Sequence, residues 1–339
     1  NEDLTINIIA NLYDSSIYDN ISNKTDITNN ITLQENVGNT RLNVFELPAI
    51  NNDMLDKNFI FFTMNVEKNS WKGANLYYSE NFDNNYKFID NLNENSTVGY
   101  LLNNLKTTKP YYFDLENTLQ IQFHPKIDTN LLNSCSEFDL YNGSNLALLG
   151  NEIIQFKNIT LNSDGSYSLN HLLRGLFGTE KYINSHKIGD KLIIMNNNIL
   201  KQNIDINQIN MHNEYKAVSI ENDFLTANKT VYYSKGTNLK PLAPCHLNYK
   251  IMNNILYLSW FRRDRGVQNW RDNLDNYLVE KNEKYYLEFK KDNNIIKTDY
   301  TTKNSYNYDI SQTTLPITIE ICQVNDYVGN GEKNIIKIN

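Results

Sequence analysis

The residues best able to ligate a metal or attack a substrate are five histidines (His124, His171, His186, His212, His246) and three cysteines (Cys135, Cys245, Cys322). A metal site needs convergent ligands, and the histidines are dispersed, with no pair at helical or strand spacing. Three distant cysteines give no zinc pattern and no disulfide framework, so they read as reduced core thiols. Gly-x-x-x-x-Gly-Lys, Gly-x-Ser-x-Gly, His-Glu-x-x-His and the EF-hand loop are all absent. A glycosidase pair of carboxylates would meet only in the fold, and the sequence leaves that open. The expectation is a chain that is not an enzyme, with no catalytic residue, no metal and no cofactor.

Two strings stand out instead. The first is His171-Leu172-Leu173-Arg174-Gly175-Leu176-Phe177-Gly178-Thr179-Glu180, in a chain with only 13 glycines. Its paired glycines imply backbone angles or close approaches that only glycine tolerates. Arg174 could tie down loop carbonyls or pair with a carboxylate such as Glu180. A phosphate cradle would need a helix to follow, and none is evident. A rigid buried loop joining two strands is the better reading. The second string, Ser259-Trp260-Phe261-Arg262-Arg263-Asp264-Arg265-Gly266-Val267-Gln268-Asn269-Trp270-Arg271, holds four of the six arginines and two of the three tryptophans. Trp260, Arg262, Arg263, Arg265, Trp270 and Arg271 read in one of two ways. They form a docking surface for a protein or an anionic sugar, or a core tryptophan followed by a solvated loop.

The elements that must hold these strings are strands. The 339 residues include 59 asparagines against 7 alanines, with 23 tyrosines and 14 phenylalanines. Alanine is the best helix former and asparagine a poor one, whereas aromatic and β-branched residues favour strands. Alternation predicts a strand at residues 4–12 followed by a polar connector. Short strands are expected at 42–47, 59–66, 75–79, 119–123, 153–159, 167–173 and 191–195, with Asp164-Gly165 as a hairpin turn. Residues 201–240 read as a linker with some strand, and Pro241 and Pro244 mark a boundary. Strands at 255–261, 285–290, 295–300, 304–310 and 317–324, with Trp260 early, suggest an immunoglobulin or fibronectin-III type sandwich. Asn253-Asn254 and Asp292-Asn293-Asn294 fit its hairpin turns, since asparagine tolerates positive φ.

Charge narrows the function classes. With 32 basic and 39 acidic residues the net charge is −7, against the basic excess of a nucleic-acid binder. No apolar run is long enough for a membrane span, and no signal peptide is visible. The opening residue, Asn1, suggests a piece of a longer protein. Sequons such as Asn158-Ile-Thr160 arise by chance in so asparagine-rich a chain, and the excess reads as the bias of an AT-rich genome.

Several strings together resemble a known family. Leu172 to Glu180, then His186-Lys187-Ile188-Gly189-Asp190-Lys191-Leu192-Ile193-Ile194, resemble the signature of the tail-tip (host-specificity, baseplate hub) protein of alphaproteobacterial gene transfer agents and related tailed phages. Glu152-Ile153-Ile154-Gln155-Phe156 fits the same block. Pro241-Leu242-Ala243-Pro244-Cys245-His246-Leu247 resembles the lead-in to the family's last domain, and Leu258 to Arg263 and Cys322 to Gly331 resemble that fibronectin-like domain. The resemblance runs from about residue 40 to the end. Phe177 and Asn196 depart from it, standing where the family often carries a small or polar residue and a glycine.

The resemblance implies the C-terminal portion of a larger protein whose glycosidase-like region lies upstream. It also implies assembly as a ring, expected trimeric, that closes the distal tail tube. The expected fold is all-β and multi-domain. Residues 1–40 are the end of a preceding domain plus connector, 41–200 a phage-tail-type β-barrel or sandwich-like domain, 201–240 a linker and 241–339 a fibronectin-III-like sandwich. Arg174, Gly175, Gly178, Thr179, Glu180, Gly189 and Asp190 form the structural motif loop. The expected partners are copies of itself, other tail and baseplate proteins, and a host surface glycan or protein, at the virion tail tip of a particle made in the bacterial cytoplasm. DNA would pass without specific binding, because acidic subunits repel the phosphate backbone, and the arginine loop should therefore point away from the lumen. The competing reading is a carbohydrate-binding β-module of a surface enzyme or adhesin.

Overall fold

Aromatic and branched residues at a spacing of two build strands throughout the computed structural model, which describes residues 39–66, 71–80, 84–127, 132–220, 222–266 and 277–339. The strand expected at 4–12, nearly all of the expected 1–40 segment, Trp270 and Arg271 lie outside the described residues. Strands β1 (Arg41–Phe45), β2 (Asn58–Asn65), β3 (Ala74–Glu80) and β4 (Lys87–Leu92) come first. Six follow: β5 (Val98–Leu101), β6 (Phe113–Phe123), β7 (Leu146–Leu149), β8 (Glu152–Leu161), β9 (Tyr167–Leu176) and β10 (Lys191–Ile194). Next are β11 (Leu200–Ile204), β12 (His212–Ser219) and β13 (Lys229–Tyr233). The last group is β14 (Cys245–Met252), β15 (Ile255–Phe261), β16 (Tyr285–Lys291), β17 (Asn294–Thr301), β18 (Ser305–Asp309), β19 (Ile317–Asn325), β20 (Gly329–Asn330) and β21 (Asn334–Ile338). The helix Glu137–Tyr141 (α1) is closed at its start by a Ser136–Asp139 capping box. No helix among the described residues is long and apolar enough to cross a membrane.

The fold is all-β, with a closed barrel and a two-sheet sandwich. In the first body the sheet β1-β2-β11 stacks on the sheet β13-β12-β3-β4. Ile60, Phe62 and Met64 of β2 fill the space between them with Leu76, Tyr215 and Ala217. The alternate residues Phe59 and Phe61 face the other way, onto Val98, Leu148, Ile153 and Ile193 of the barrel. Burial on both faces is why β2 reads as a continuous apolar run rather than an alternating one.

The barrel closes in the order β10-β5-β6-β9-β8-β7, with β7 paired to β10. Closure leaves no strand edge exposed. Leu119, Ile121, Phe123, Ile154, Phe156, Leu169 and Leu192 fill its centre. Asp164-Gly165 turns β8 into β9, with Gly165 at φ +82°. The sandwich packs β14-β15-β18 against β17-β16-β19, with β21 beside β19. In β15 the buried Leu256, Leu258 and Trp260 alternate with outward Tyr257, Ser259 and Phe261. Its hairpins turn at Asn253-Asn254 (φ 49° and 61°) and Asp292-Asn293 (φ 49° and 65°). Two successive positive φ values are what a two-residue hairpin needs, and asparagine and aspartate supply them here in place of glycine.

The expectation for 201–240 needs correcting. This stretch holds β11, which pairs with β2, and β12 and β13, with β12 paired to β3. It completes both sheets of the first body, so it is part of that core and not a spacer. Its polar look has a local cause: Asn213, Glu214 and Lys216 on β12 are buried yet polar. Glu214 is satisfied by the Tyr86 hydroxyl at 2.8 Å and by Lys229 at 3.1 Å.

Candidate functional site at the junction of barrel and sandwich

Strand β9 carries Arg174 into the interior, where the residue is 1% exposed. A buried guanidinium needs carboxylates to replace its hydration. Glu152, the first residue of β8, supplies them: Arg174 Nε donates to Oε1 at 2.8 Å and a terminal nitrogen donates to Oε2 at 2.7 Å. That second nitrogen also donates to the Ile183 carbonyl at 3.0 Å, and the other reaches Asp114 at 3.4 Å. Glu152 Oε1 further accepts the Gly175 backbone N–H at 2.7 Å. Its Oε2 lies 2.6 Å from Nε2 of His186, whose Nδ1 lies 3.0 Å from Asp190. Both ring nitrogens of His186 thus face carboxylate oxygens. Burial works to raise the Glu152 carboxyl. Hydrogen bonds from His186 and Arg174 outweigh it and hold the group below the usual glutamate range.

The signature string is therefore a joint. Arg174 ties down a loop carbonyl, that of Ile183, as one of its readings has it, and its carboxylate partners are Glu152 and Asp114 rather than Glu180. Glu180 turns outward to accept from Arg263 of the sandwich at 2.6 Å, and it also accepts from the Tyr111 hydroxyl. Burial, with that hydrogen bond, pushes the Tyr111 hydroxyl up to about 12. Thr179 Oγ1 accepts the Ile153 N–H at 3.0 Å and donates to the Leu176 carbonyl at 2.7 Å. Gly178 sits at φ +84°, and a Cβ there would come within 2.3 Å of Leu242 Cδ2. Leu242 belongs to the Pro241–Leu247 string, so two strings far apart in sequence meet here. Gly175 (φ +65°) would put a Cβ 2.9 Å from Glu180 Cα. Gly189 (φ +91°) has open space around it, with its N–H on the Leu101 carbonyl at 2.7 Å.

Further ion pairs cross the joint. Lys181 and Lys240 hold Glu332 at 2.5 and 3.3 Å. A groove of about 370 Å³ runs beside them, lined by Phe45, Phe177, Tyr182 and Tyr232. Glu46, at its edge, accepts from the Lys235, Gly236 and Thr237 N–H groups and from the Ser234 and Thr237 hydroxyls, at 2.5–3.2 Å.

Of the arginine string, Trp260 lies in the core, as one of its two readings has it, and the described Arg262, Arg263 and Arg265 pair with carboxylates of the chain itself. Trp260 is 2% exposed in the sandwich core, edge-on to Tyr285. Arg262 pairs with Asp264 at 2.9 Å and Glu283 at 3.0 Å. Arg265 pairs with Glu280 at 2.8 Å, and it donates to the Asn238 carbonyl at 2.7 Å and the Leu55 carbonyl at 3.3 Å. Carboxylates and carbonyls within the chain thus occupy guanidinium donors that an external partner would need.

Sequence reasoning missed Asp114 and the tie from Glu152 to His186. Their only signal was an acidic residue heading a buried apolar run, Glu152-Ile153-Ile154. Among the described residues no group of three or more His, Cys, Asp and Glu side chains could hold a metal ion. The Arg174 cluster ties the ends of β8 and β9 to the loop that receives the sandwich.

Residues 96–193 match the family model described as Rcc01698-like, C-terminal, a name associated with the gene transfer agent of Rhodobacter capsulatus. The matched span begins two residues ahead of β5 and ends inside β10, so it coincides with the barrel. No curated protein matches the sequence. Similar solved structures include the rat CD45 extracellular region, domains d3–d4, at 12% identity over 42% of this chain and 72% of that one, with a TM-score of 0.23. They also include the chicken CNTN1 FN1–FN3 domains, at 8% identity over 88% of this chain and 96% of that one, again with a TM-score of 0.23.

Proposed function

We propose that this chain is a structural part of a phage-like tail tip or baseplate hub, of the kind found in gene transfer agents. In that role it closes the tail tube and meets the host surface. The observation that carries the reading is the coincidence of the family match with a closed barrel whose final loop seats the sandwich. A tail tip must hold its outer modules in fixed positions under load, and a joint of directional ion pairs set on the buried Arg174–Glu152 cluster suits that role. The longer protein forms a ring, expected trimeric, with other tail and baseplate proteins. DNA passes it without specific binding, and this chain contributes no catalysis.

The test is made on particles purified from the source bacterium. Antibodies against residues 41–339 should label one end of the tail in negative-stain micrographs, and mass photometry of the longer protein should show trimers. Unlabelled particles, or a longer protein that stays monomeric, would overturn the reading.

A further inference from the structure

We propose that the sandwich carries a binding site for an acidic oligosaccharide, in the open cleft between the start of β16 and the turn joining β17 to β18. The cleft encloses about 520 Å³, within the ~300–1,000 Å³ typical of small-molecule sites. Lys284, Tyr300, Lys303, Ser305, Tyr306 and Asn307 line it, together with two threonines and no carboxylate. That is a local reversal of sign in a chain of net charge −7.

Nearby carboxylates are already engaged. Glu283 accepts from Arg262 at 3.0 Å and from the Tyr285 hydroxyl at 2.8 Å. Asp299 accepts from the Tyr306 hydroxyl and from the Tyr300 N–H. Neither Lys284 nor Lys303 has a carboxylate partner among the described residues. The Lys284 ammonium stands 4.4 Å from the Tyr300 ring centroid, and that tyrosine is 53% exposed.

The chemistry selects the ligand class. Two ammonium groups call for an anion. Hydroxyls and an amide spread along the wall match a ligand with many hydroxyls of its own. An exposed tyrosine offers a flat amphipathic face to a sugar ring. A protein partner would need an apolar centre that this wall lacks, and a nucleic acid would meet a strongly acidic protein. The site stands on the sandwich alone and does not depend on the tail-tip reading.

The experiment is calorimetric titration of the full chain with hexagalacturonate, with maltohexaose as the uncharged control and an oligothymidylate as a generic polyanion. Hexagalacturonate should bind, and the two controls should bind at least tenfold more weakly. Lys284→Gln with Lys303→Gln should weaken binding about tenfold, the combined effect of losing two exposed charge contacts. Tyr300→Ala should weaken it as well, and the thermal melt of the double lysine variant should be unchanged. No binding at millimolar hexagalacturonate, binding of maltohexaose or oligothymidylate at equal strength, or an unaffected double variant would each overturn the proposal.

Discussion

Replacing Glu152 by Gln tests whether the buried ion cluster holds the barrel together. The side chain keeps its shape and loses its charge. Four donors converge on the native carboxylate: two Arg174 nitrogens, the Gly175 N–H and the His186 ring. An amide presents one oxygen and one NH₂ group, so at least one buried donor then faces another donor. The Arg174 charge is left with Asp114 alone, at 3.4 Å. Removing one partner of a buried pair costs about 3–5 kcal/mol, a large share of the ~5–15 kcal/mol that holds a typical protein folded. The readout must report on the barrel, and tryptophan fluorescence cannot, because the barrel segment, residues 96–194, contains no tryptophan. Hydrogen exchange of β8 and β9 peptides serves instead. The variant should exchange through openings at least a hundredfold more frequent. The pH dependence follows from the sign: the folded Glu152 carboxyl is held low. Its stabilisation is therefore complete above the unfolded value of about 4.3 and is lost as pH falls through the folded value. Wild-type protection should fall in that acid window, and the variant should show a flatter profile. Protection changed by less than threefold would refute the claim that this cluster is structural.

Gly178→Ala should destabilise by about 2–4 kcal/mol, combining a positive-φ cost with the collision against Leu242; Gly189→Ala, with open space around it, should cost about 1–2 kcal/mol. Urea melts of both would compare them. Arg263→Gln removes the charge that Glu180 accepts. It should loosen the sandwich by about 1–3 kcal/mol, seen as faster proteolysis at residues 240–245, with the effect shrinking at high salt. Asn254→Val should cost about 1–2 kcal/mol, since a β-branched residue resists φ 61°, while Asn254→Gly should be nearly neutral in the same melt. Lys290→Gln breaks a partly exposed lattice with Glu288 and Glu320, and the thermal unfolding midpoint should barely move.

Much of the fold was legible because strands with one buried face write their period into the sequence. All five strands expected in the sandwich are present, as are the Asp164-Gly165 and Asn253-Asn254 turns. Gly175 and Gly178 were readable as backbone requirements because the chain is otherwise poor in glycine. Strands β5 and β7 were missed because four residues, one of them Gly99 in β5, are too few to show alternation. Strand β4 was missed because it is mostly exposed. The site was less legible than the fold, since its defining contacts are non-local. Arg263 meets Glu180 across 83 positions, and Arg174 meets Asp114 across 60. Composition can say that an arginine wants a carboxylate; it cannot say which of 39 acidic residues answers.

Ion pairs cross the joint between barrel and sandwich, and this shapes what it can do. Leu242 against Gly178 is its tight apolar contact. Polar contacts accompany it: Arg263 on Glu180 and two lysines on Glu332, with Arg265 reaching the backbone carbonyls of Leu55 and Asn238 beside the barrel. Hydrogen-bonded charge pairs are directional, so they define an orientation more sharply than they add affinity. An apolar seam of the same extent would tolerate sliding, whereas a guanidinium aimed at two carbonyls does not. Glu332 takes part as a charged acceptor: burial works to raise its carboxyl, and Lys181 and Lys240 outweigh that and hold it low. The sandwich is therefore held at a set angle by contacts that acid and salt weaken. Small-angle scattering should show one fixed shape at neutral pH and low salt, and a broader distribution once Glu332 is protonated.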